Sequence, residues 1–149
     1  MNLQVPKSLK LEHEELHAEL LLATKEPGET GEAAKVVAKL MHPHFVKEEE
    51  YALPPLGLLS RLAKGDVTED MRAAIALTDR LKADLPAMLE EHQAIVGALR
   101  HLDAAARKEW KEQYAEFAQK LMLHAQTEEE VSYPTAILIG EYLKLNLSK

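Results

Sequence analysis

The sequence predicts an all-α fold: an antiparallel, up-and-down four-helix bundle with a short C-terminal helix, formed by residues 1–149 as a single domain. Three observations predict it. Ala, Leu, Glu and Lys are abundant and only 5% of the 149 residues are aromatic, a composition that favours helices over sheets. Apolar residues recur at helical spacing in four long stretches. The connections between those stretches are short, which is typical of antiparallel neighbours in a bundle.

The first two predicted helices lie between capping residues and helix breakers. The first begins at Ser8, a good N-cap, and Pro27-Gly28 ends it. The second begins at Thr30, another good N-cap, and extends to about Ala52. Two prolines then break the chain, and residues 56–62 are predicted to form a short helical turn.

The remaining stretches predict two more long helices and a tail. The third helix is predicted over 68–101 with a kink at Pro86, because proline removes a backbone hydrogen bond. The fourth is predicted over 103–131, and Pro134 ends or bends it. Residues 135–147 are predicted to form the short C-terminal helix. Trp110 falls in the fourth predicted helix, where we expect it to serve packing.

Charge and composition exclude several classes of function. The formal net charge is −7 and there is no basic patch, so a nucleic-acid partner is not expected. The chain has no cysteine, which excludes disulfides, thiolate zinc sites and iron–sulfur clusters. No segment approaches the roughly 20 apolar residues that span a membrane, and residues 1–10 do not form a secretory signal. We therefore expect a soluble, cytoplasmic protein with no membrane partner.

An internal repeat contains the residues that suggest chemistry. Positions 11–16 align with 90–95, and each segment has an acidic residue followed by a histidine. Positions 44–50 align with 124–130, and each segment reads His-x-x-x-Glu followed by two more glutamates. Each half therefore has a histidine on one helix and His-x-x-x-Glu near the end of the next.

The spacing places these side chains on buried faces. Residues four apart lie on one face of a helix, so His44 and Glu48 point the same way, and the matching pair of the second half does too. The histidines continue the apolar stripes of their helices. Imidazoles and carboxylates without partners are costly to bury, and together they suit iron, manganese or zinc. Two such carboxylates could bridge two ions and leave an open position for a small ligand. The predicted ligands are His13, His44, Glu48, His92, His124 and Glu128.

At these six positions the sequence resembles the hemerythrin-like, or HHE cation-binding, domain family, over about residues 8–135. The resemblance implies a four-helix bundle with two non-haem iron ions bridged by an oxo or hydroxo group. It implies binding of dioxygen or a related small ligand, for oxygen, redox or iron sensing or storage. A di-iron enzyme that acts on peroxide or nitric oxide is the alternative. Val96 stands where oxygen carriers of the family have a further histidine, and Pro43 is unusual within a helix.

Several assignments stay open at this stage. His17 is either a ligand or an ordinary residue, and Tyr51 either bonds a bridging carboxylate or packs as a half-buried tyrosine. Glu49 and Glu129 could orient histidines. A ferritin-like carboxylate site needs Glu-x-x-His on two helices, and only one segment, 14–17, has that spacing. Ordinary core histidines and a metal-free interaction module are further alternatives. The loaded metal, the protein partner and the oligomeric state are not determined by the sequence.

Overall fold

A computed structural model describes residues 2–147, and these residues are helical along most of their length, with no β-strand among them. Short π-helical segments directly follow the second and fifth α-helices, at Glu48–Ala52 and Glu128–Ser132. The 3₁₀ segment Pro54–Leu58 precedes the third α-helix, and the 3₁₀ segment Glu69–Arg72 precedes the fourth α-helix. The α-helices are α1 Lys7–Thr24, α2 Gly28–Lys47, α3 Leu59–Ala63, α4 Ala73–Lys108, α5 Glu112–Thr127 and α6 Tyr133–Leu147.

Helix α4 is the central element of the bundle. It packs against α2, α5 and α6, while α1 packs against α2 and α5. Lys108 at the end of α4 pairs with Glu29 at the start of α2, whereas Arg80 near the start of α4 pairs with Glu50, just beyond the end of α2. The two helices therefore run in opposite directions along their contact.

Two hydrophobic clusters fill the interior, and a polar layer separates them. The first lies among α1, α2, α5 and the C-terminal half of α4, and includes Leu20 and Leu99. The second lies among the segment after α2, the N-terminal half of α4, and α6, and includes Leu81 and Leu143. Along α4, the second cluster ends at Met88 and the first begins at Ile95. The six predicted ligands occupy the layer between the clusters.

The predicted N-caps were wrong for the first two helices. Ser8 lies inside α1, and Thr30 lies inside α2, which begins two residues earlier. The carboxylate of Glu109 caps α2 instead, because it accepts hydrogen bonds from the backbone N–H groups of Glu29 (3.0 Å) and Thr30 (2.8 Å) and from the Thr30 hydroxyl (2.5 Å). The Thr30 hydroxyl and these backbone groups lower the pKa of Glu109 to about 2.

The predicted break at 101–103 was also wrong. Asp103 accepts hydrogen bonds from Arg107 (2.8 Å) and from Gln119 of α5 (2.9 Å), so it stabilises the middle of a helix instead of starting one. Helix α4 continues to Lys108 and accommodates Pro86. The turn that follows contains Trp110, which has a positive φ of 60° and is 88% exposed. Trp110 therefore does not serve packing.

Two further prolines, Pro43 and Pro134, stand inside helical structure. Pro43 lies in α2, and Pro134 is the second residue of α6. The fourth predicted helix and the C-terminal helix thus continue from α5 through the π-helical segment into α6. None of the helices in residues 2–147 combines the length and the apolar character that crossing a membrane requires.

Candidate metal centre

The structure brings the six predicted ligands together in the polar layer. Helices α1, α2, α4 and α5 each contribute one histidine, and the two π-helical segments each begin with one glutamate. The potential ligand atoms of His44, Glu48, His92 and Glu128 lie within 4.8 Å of one another. Those of His13, His124 and Glu128 form a second such group. We call these the inner group and the outer group, and they share Glu128.

Glu128 joins the two groups through its two oxygens. Its Oε1 atom lies 3.4 Å from Nε2 of His92 in the inner group. Its Oε2 atom lies 3.3 Å from Nε2 of His13 and 3.1 Å from Nε2 of His124 in the outer group. One carboxylate oxygen therefore faces each group, which is the arrangement of a carboxylate that bridges two cations.

Glu48 faces both groups in the same way. Its Oε2 atom lies 3.5 Å from Nε2 of His44, and its Oε1 atom lies 3.9 Å from Nε2 of His13. Within each group the two imidazoles are close: the Nε2 atoms of His44 and His92 are 2.8 Å apart, and those of His13 and His124 are 3.1 Å apart. Each group thus contains two imidazole nitrogens and an oxygen of Glu128, and the two oxygens of Glu48 face His44 of the inner group and His13 of the outer group.

Carboxylates outside the cluster hold three of the four imidazoles. Nδ1 of His44 bonds Glu91 at 2.8 Å, and Nδ1 of His92 bonds Glu129 at 3.0 Å. Nδ1 of His124 bonds Glu12. A carboxylate on Nδ1 fixes the tautomer and directs Nε2 toward a metal. Glu129 thus has the orienting position that the repeat suggested for it.

Glu49, which the repeat aligns with Glu129, does not orient a histidine. Glu49 is exposed and makes no hydrogen bond with a histidine among residues 2–147. His13, the histidine that Glu49 would serve by analogy with Glu129 and His92, has no carboxylate on Nδ1 in the same part of the chain.

The surroundings of Glu48 and Glu128 shift the pKa values of these two carboxyl groups in opposite directions. Burial, and then repulsion from Glu128, raise the pKa of Glu48 to about 7. Burial also opposes ionisation of Glu128, but the neighbouring Glu48 and the hydrogen bond with His124 outweigh it and hold its pKa well below the usual value. For His124, burial favours the neutral form, but bonding to Glu128 outweighs it and raises the pKa to about 9. Protons therefore occupy this cluster at neutral pH, and a bound cation would replace them.

Tyr133 is a member of the cluster that the sequence did not predict. Its hydroxyl donates to Oε2 of Glu48 at 2.6 Å and lies 3.2 Å from Nε2 of His44 and 3.1 Å from Nε2 of His92. Burial and the neighbouring carboxylates raise its pKa above the ordinary value. Tyr133 follows Glu128 by five residues, a spacing that shares a face in a π-helix but not in an α-helix. The α-helical periodicity used for the prediction therefore could not find it.

Comparisons of the chain with protein-family models, with curated protein sequences and with solved structures found no match. The assignment of a function therefore depends on the residues of this cluster and on their geometry.

The other sequence candidates lie outside the cluster. His17 is exposed and packs edge-on against Phe45, with ring centroids 6.0 Å apart. The two remaining histidines of the chain, His42 and His101, are exposed. Tyr51 is buried, but its hydroxyl donates to Asp84 and does not bond a bridging carboxylate. His17 therefore takes the ordinary role that the sequence had left open for it, whereas Tyr51 bonds neither Glu48 nor Glu128 and is fully buried instead of half-buried.

Proposed function

We propose that this chain is a hemerythrin-like protein, an antiparallel up-and-down bundle that holds two iron ions and binds dioxygen, nitric oxide or peroxide for oxygen, redox or iron sensing or storage. The proposal depends most on one oxygen atom of Glu48, whose side chain is fully buried. Oε1 of Glu48 has no hydrogen-bond partner among the described residues. A buried polar atom without a partner costs about 1–3 kcal/mol, and more when it is charged. A cation beside Glu48 and His13 would satisfy it.

The donor set supports binding of first-row divalent metal ions. Four imidazoles and two carboxylates suit iron, manganese or zinc and disfavour calcium or magnesium, which prefer oxygen ligands alone. When bound, iron would supply a Lewis acid and an exchangeable electron. His44 and His92 would hold one ion, His13 and His124 the other, and the carboxylate oxygens of Glu48 and Glu128 would link them.

The surroundings of the cluster support a function that needs protection from water. The two hydrophobic clusters cover the polar layer from both sides, and Glu91, Glu129 and Glu12 hold three of the imidazoles in place. A location in the cytoplasm and the absence of a nucleic-acid partner remain part of the proposal. The net charge of −7 supports the absence of a nucleic-acid partner.

A second candidate function, an enzyme that acts on peroxide or nitric oxide, has one observation in its favour. The Tyr133 hydroxyl lies 2.6 Å from Glu48 inside the cluster, where it could donate a hydrogen bond or a proton to a bound reactant. A positioned proton donor assists cleavage of a peroxide O–O bond because it protonates the leaving oxygen. Turnover of peroxide by the loaded protein, and its loss in Tyr133→Phe, would favour the enzyme.

The test is a measurement of metal content with matched histidine variants. We expect about two irons per chain after aerobic purification or iron loading, and near-ultraviolet bands that bleach on reduction and return in air. His92→Ala should lose iron, because His92 is buried in the cluster, and His101→Ala should not, because His101 is an exposed histidine of the same helix. An iron-free protein with an intact helical spectrum after loading would refute the proposal.

A further inference from the structure

Two histidines outside the metal cluster line a surface cavity that reaches the outer group. His17 belongs to α1 and His42 to α2, and both line a cavity of about 240 Å³ together with Glu14 and Glu49. His13 of the outer group is also in its wall. A water molecule takes up about 30 Å³ of liquid volume, so the cavity has room for a cation and several waters.

Helix α1 places His17 directly beside the outer group. His17 is one turn from His13 and lies on the same face of the helix. The two rings pack against the same side chain, Phe45, with centroids 6.0 and 5.1 Å away. Glu14 and His17 are three residues apart and are neighbours on the helix surface. Within the cluster His17 has no role, but its imidazole and the Glu14 carboxylate both face the cavity outside it.

The four polar side chains of this wall are free to bind a ligand. Glu14, His17, His42 and Glu49 are exposed and form no ion pair within residues 2–147, whereas Lys47 of α2 does. Imidazole and carboxylate together suit first-row divalent cations. The ligand atoms of these four residues do not converge within 4.8 Å as those of the cluster do. They would therefore hold a cation loosely and leave part of its water shell in place.

Charge distinguishes this cavity from two others that reach the cluster. A cavity of about 270 Å³ also has His13 in its wall, but Lys10 lines it too. One of about 550 Å³ reaches His124, and Lys120 lines it. The cavity at His17 has two carboxylates and no lysine or arginine in its wall. A cleft lined by one sign of charge concentrates ions of the opposite sign and raises their rate of binding.

His13, which stands between the cavity and the cluster, has no orienting carboxylate. His44, His92 and His124 each have a carboxylate bonded to Nδ1, whereas Nδ1 of His13 has none within residues 2–147. The His13 ring can therefore turn without breaking such a bond. Its Nε2 atom is 3.9 Å from Oε1 of Glu48, the buried oxygen that has no hydrogen-bond partner among the described residues. A cation that passes His13 thus meets an oxygen that is free to bind it.

We propose that the cavity at His17 and His42 is a capture site for divalent first-row cations, and that the captured ions enter the cluster past His13. The two imidazoles bind the arriving ion, and the carboxylates of Glu14 and Glu49 attract it. The proposal rests on the proposed function and deepens it, since it states how metal ions reach the cluster. It also accounts for two histidines that the cluster does not use.

The rate of iron uptake tests this route. Chelator-treated protein is mixed with ferrous sulfate under nitrogen, and samples are quenched at intervals with an indicator that colours unbound iron. Glu14→Gln/Glu49→Gln removes the charge of the cavity and should slow uptake roughly tenfold, with the final iron content unchanged. Glu15→Gln/Glu19→Gln is the matched control, because it removes two carboxylates of α1 that lie outside this cavity. It should load at the wild-type rate.

Histidine variants test the capture step. His17→Ala/His42→Ala should slow uptake and keep the final iron content, because both residues are exposed and lie outside the cluster. His101→Ala, which removes an exposed histidine of α4, should load at the wild-type rate. If all variants reach two irons per chain at the wild-type rate, the route is wrong and the proposed function stands. A wild type that takes up no iron would overturn both.

An equilibrium measurement locates the captured ion directly. The cluster is first filled with zinc, which binds nitrogen and oxygen ligands more tightly than manganese does. A small amount of Mn²⁺, which is paramagnetic, should then broaden the ring-proton NMR signals of His17 and His42 and leave that of His101 sharp. Equal broadening of all three signals would overturn the proposal.

Discussion

The buried carboxylate of Glu48 should destabilise the protein whenever no cation is bound, and Glu48→Gln should relieve this cost. The pKa of Glu48 is raised from 4.5 to about 7. Its stabilising effect, relative to a group with an unshifted pKa, is therefore fully present below pH 4.5 and is lost as the pH rises through about 7. A tenfold change in proton affinity corresponds to about 1.4 kcal/mol, so ionised Glu48 costs about 3 kcal/mol at pH 8. Glutamine has nearly the same shape and does not ionise.

We therefore expect the free energy of unfolding of chelator-treated Glu48→Gln to exceed that of the chelator-treated wild type by about 3 kcal/mol at pH 8 and to match it near pH 4. With a urea dependence of about 1–3 kcal/mol per molar, this is a midpoint shift of roughly 1–3 M at pH 8, followed by circular dichroism. With iron present the order should reverse, because glutamine cannot bridge as a charged ligand. Glu50→Gln is the control: its surface pair with Arg80 is half exposed and contributes at most about 1 kcal/mol. An equal difference between Glu48→Gln and wild type at both pH values would refute the reasoning.

Three further predictions test other parts of the structure. Glu129→Ala removes the carboxylate on Nδ1 of His92 and should weaken metal binding roughly 10–100-fold, measured by competition with a chelator. Leu99→Ala should cost about 2–5 kcal/mol in urea unfolding because Leu99 is fully buried, whereas Leu145→Ala, at an 80% exposed position, should cost less than about 0.5 kcal/mol. Glu109→Gln should lower the melting temperature at pH 7 and lose this effect as the pH falls through about 2, where wild-type Glu109 also becomes neutral.

The sequence predicted the positions of side chains that depend on the geometry of a single helix. It missed the contacts between residues that are far apart in the chain. The spacing of His44 and Glu48 is four residues, so one turn of α-helix was enough to predict that they share a face. The cap of α2 comes from Glu109, about eighty residues further along the chain, and no local pattern could show that. Thr30 has the preferred chemistry of an N-cap but serves as a hydrogen-bond donor to that distant carboxylate instead.

Periodicity failed where the helix changes its winding. The π-helical segments begin at Glu48 and Glu128, so side chains beyond these two residues do not follow the α-helical spacing. Tyr133 reaches the cluster for that reason, and Tyr51 is directed toward Asp84 for the same reason. π-Helical segments are frequent at functional sites. The residue five positions after the glutamate of a His-x-x-x-Glu motif should therefore also be considered a member of the site.

The repeat also explains why neither half of the chain could bind a metal pair alone. Each histidine pair takes one member from each half: His13 pairs with His124, and His44 pairs with His92. Two of the three orienting carboxylates cross between the halves too, because Glu12 bonds His124 and Glu91 bonds His44. A bound ion pair would therefore fasten the first half to the second at the layer between the two hydrophobic clusters. Because only the folded chain presents this set of ligands, metal binding free energy would add directly to folding stability.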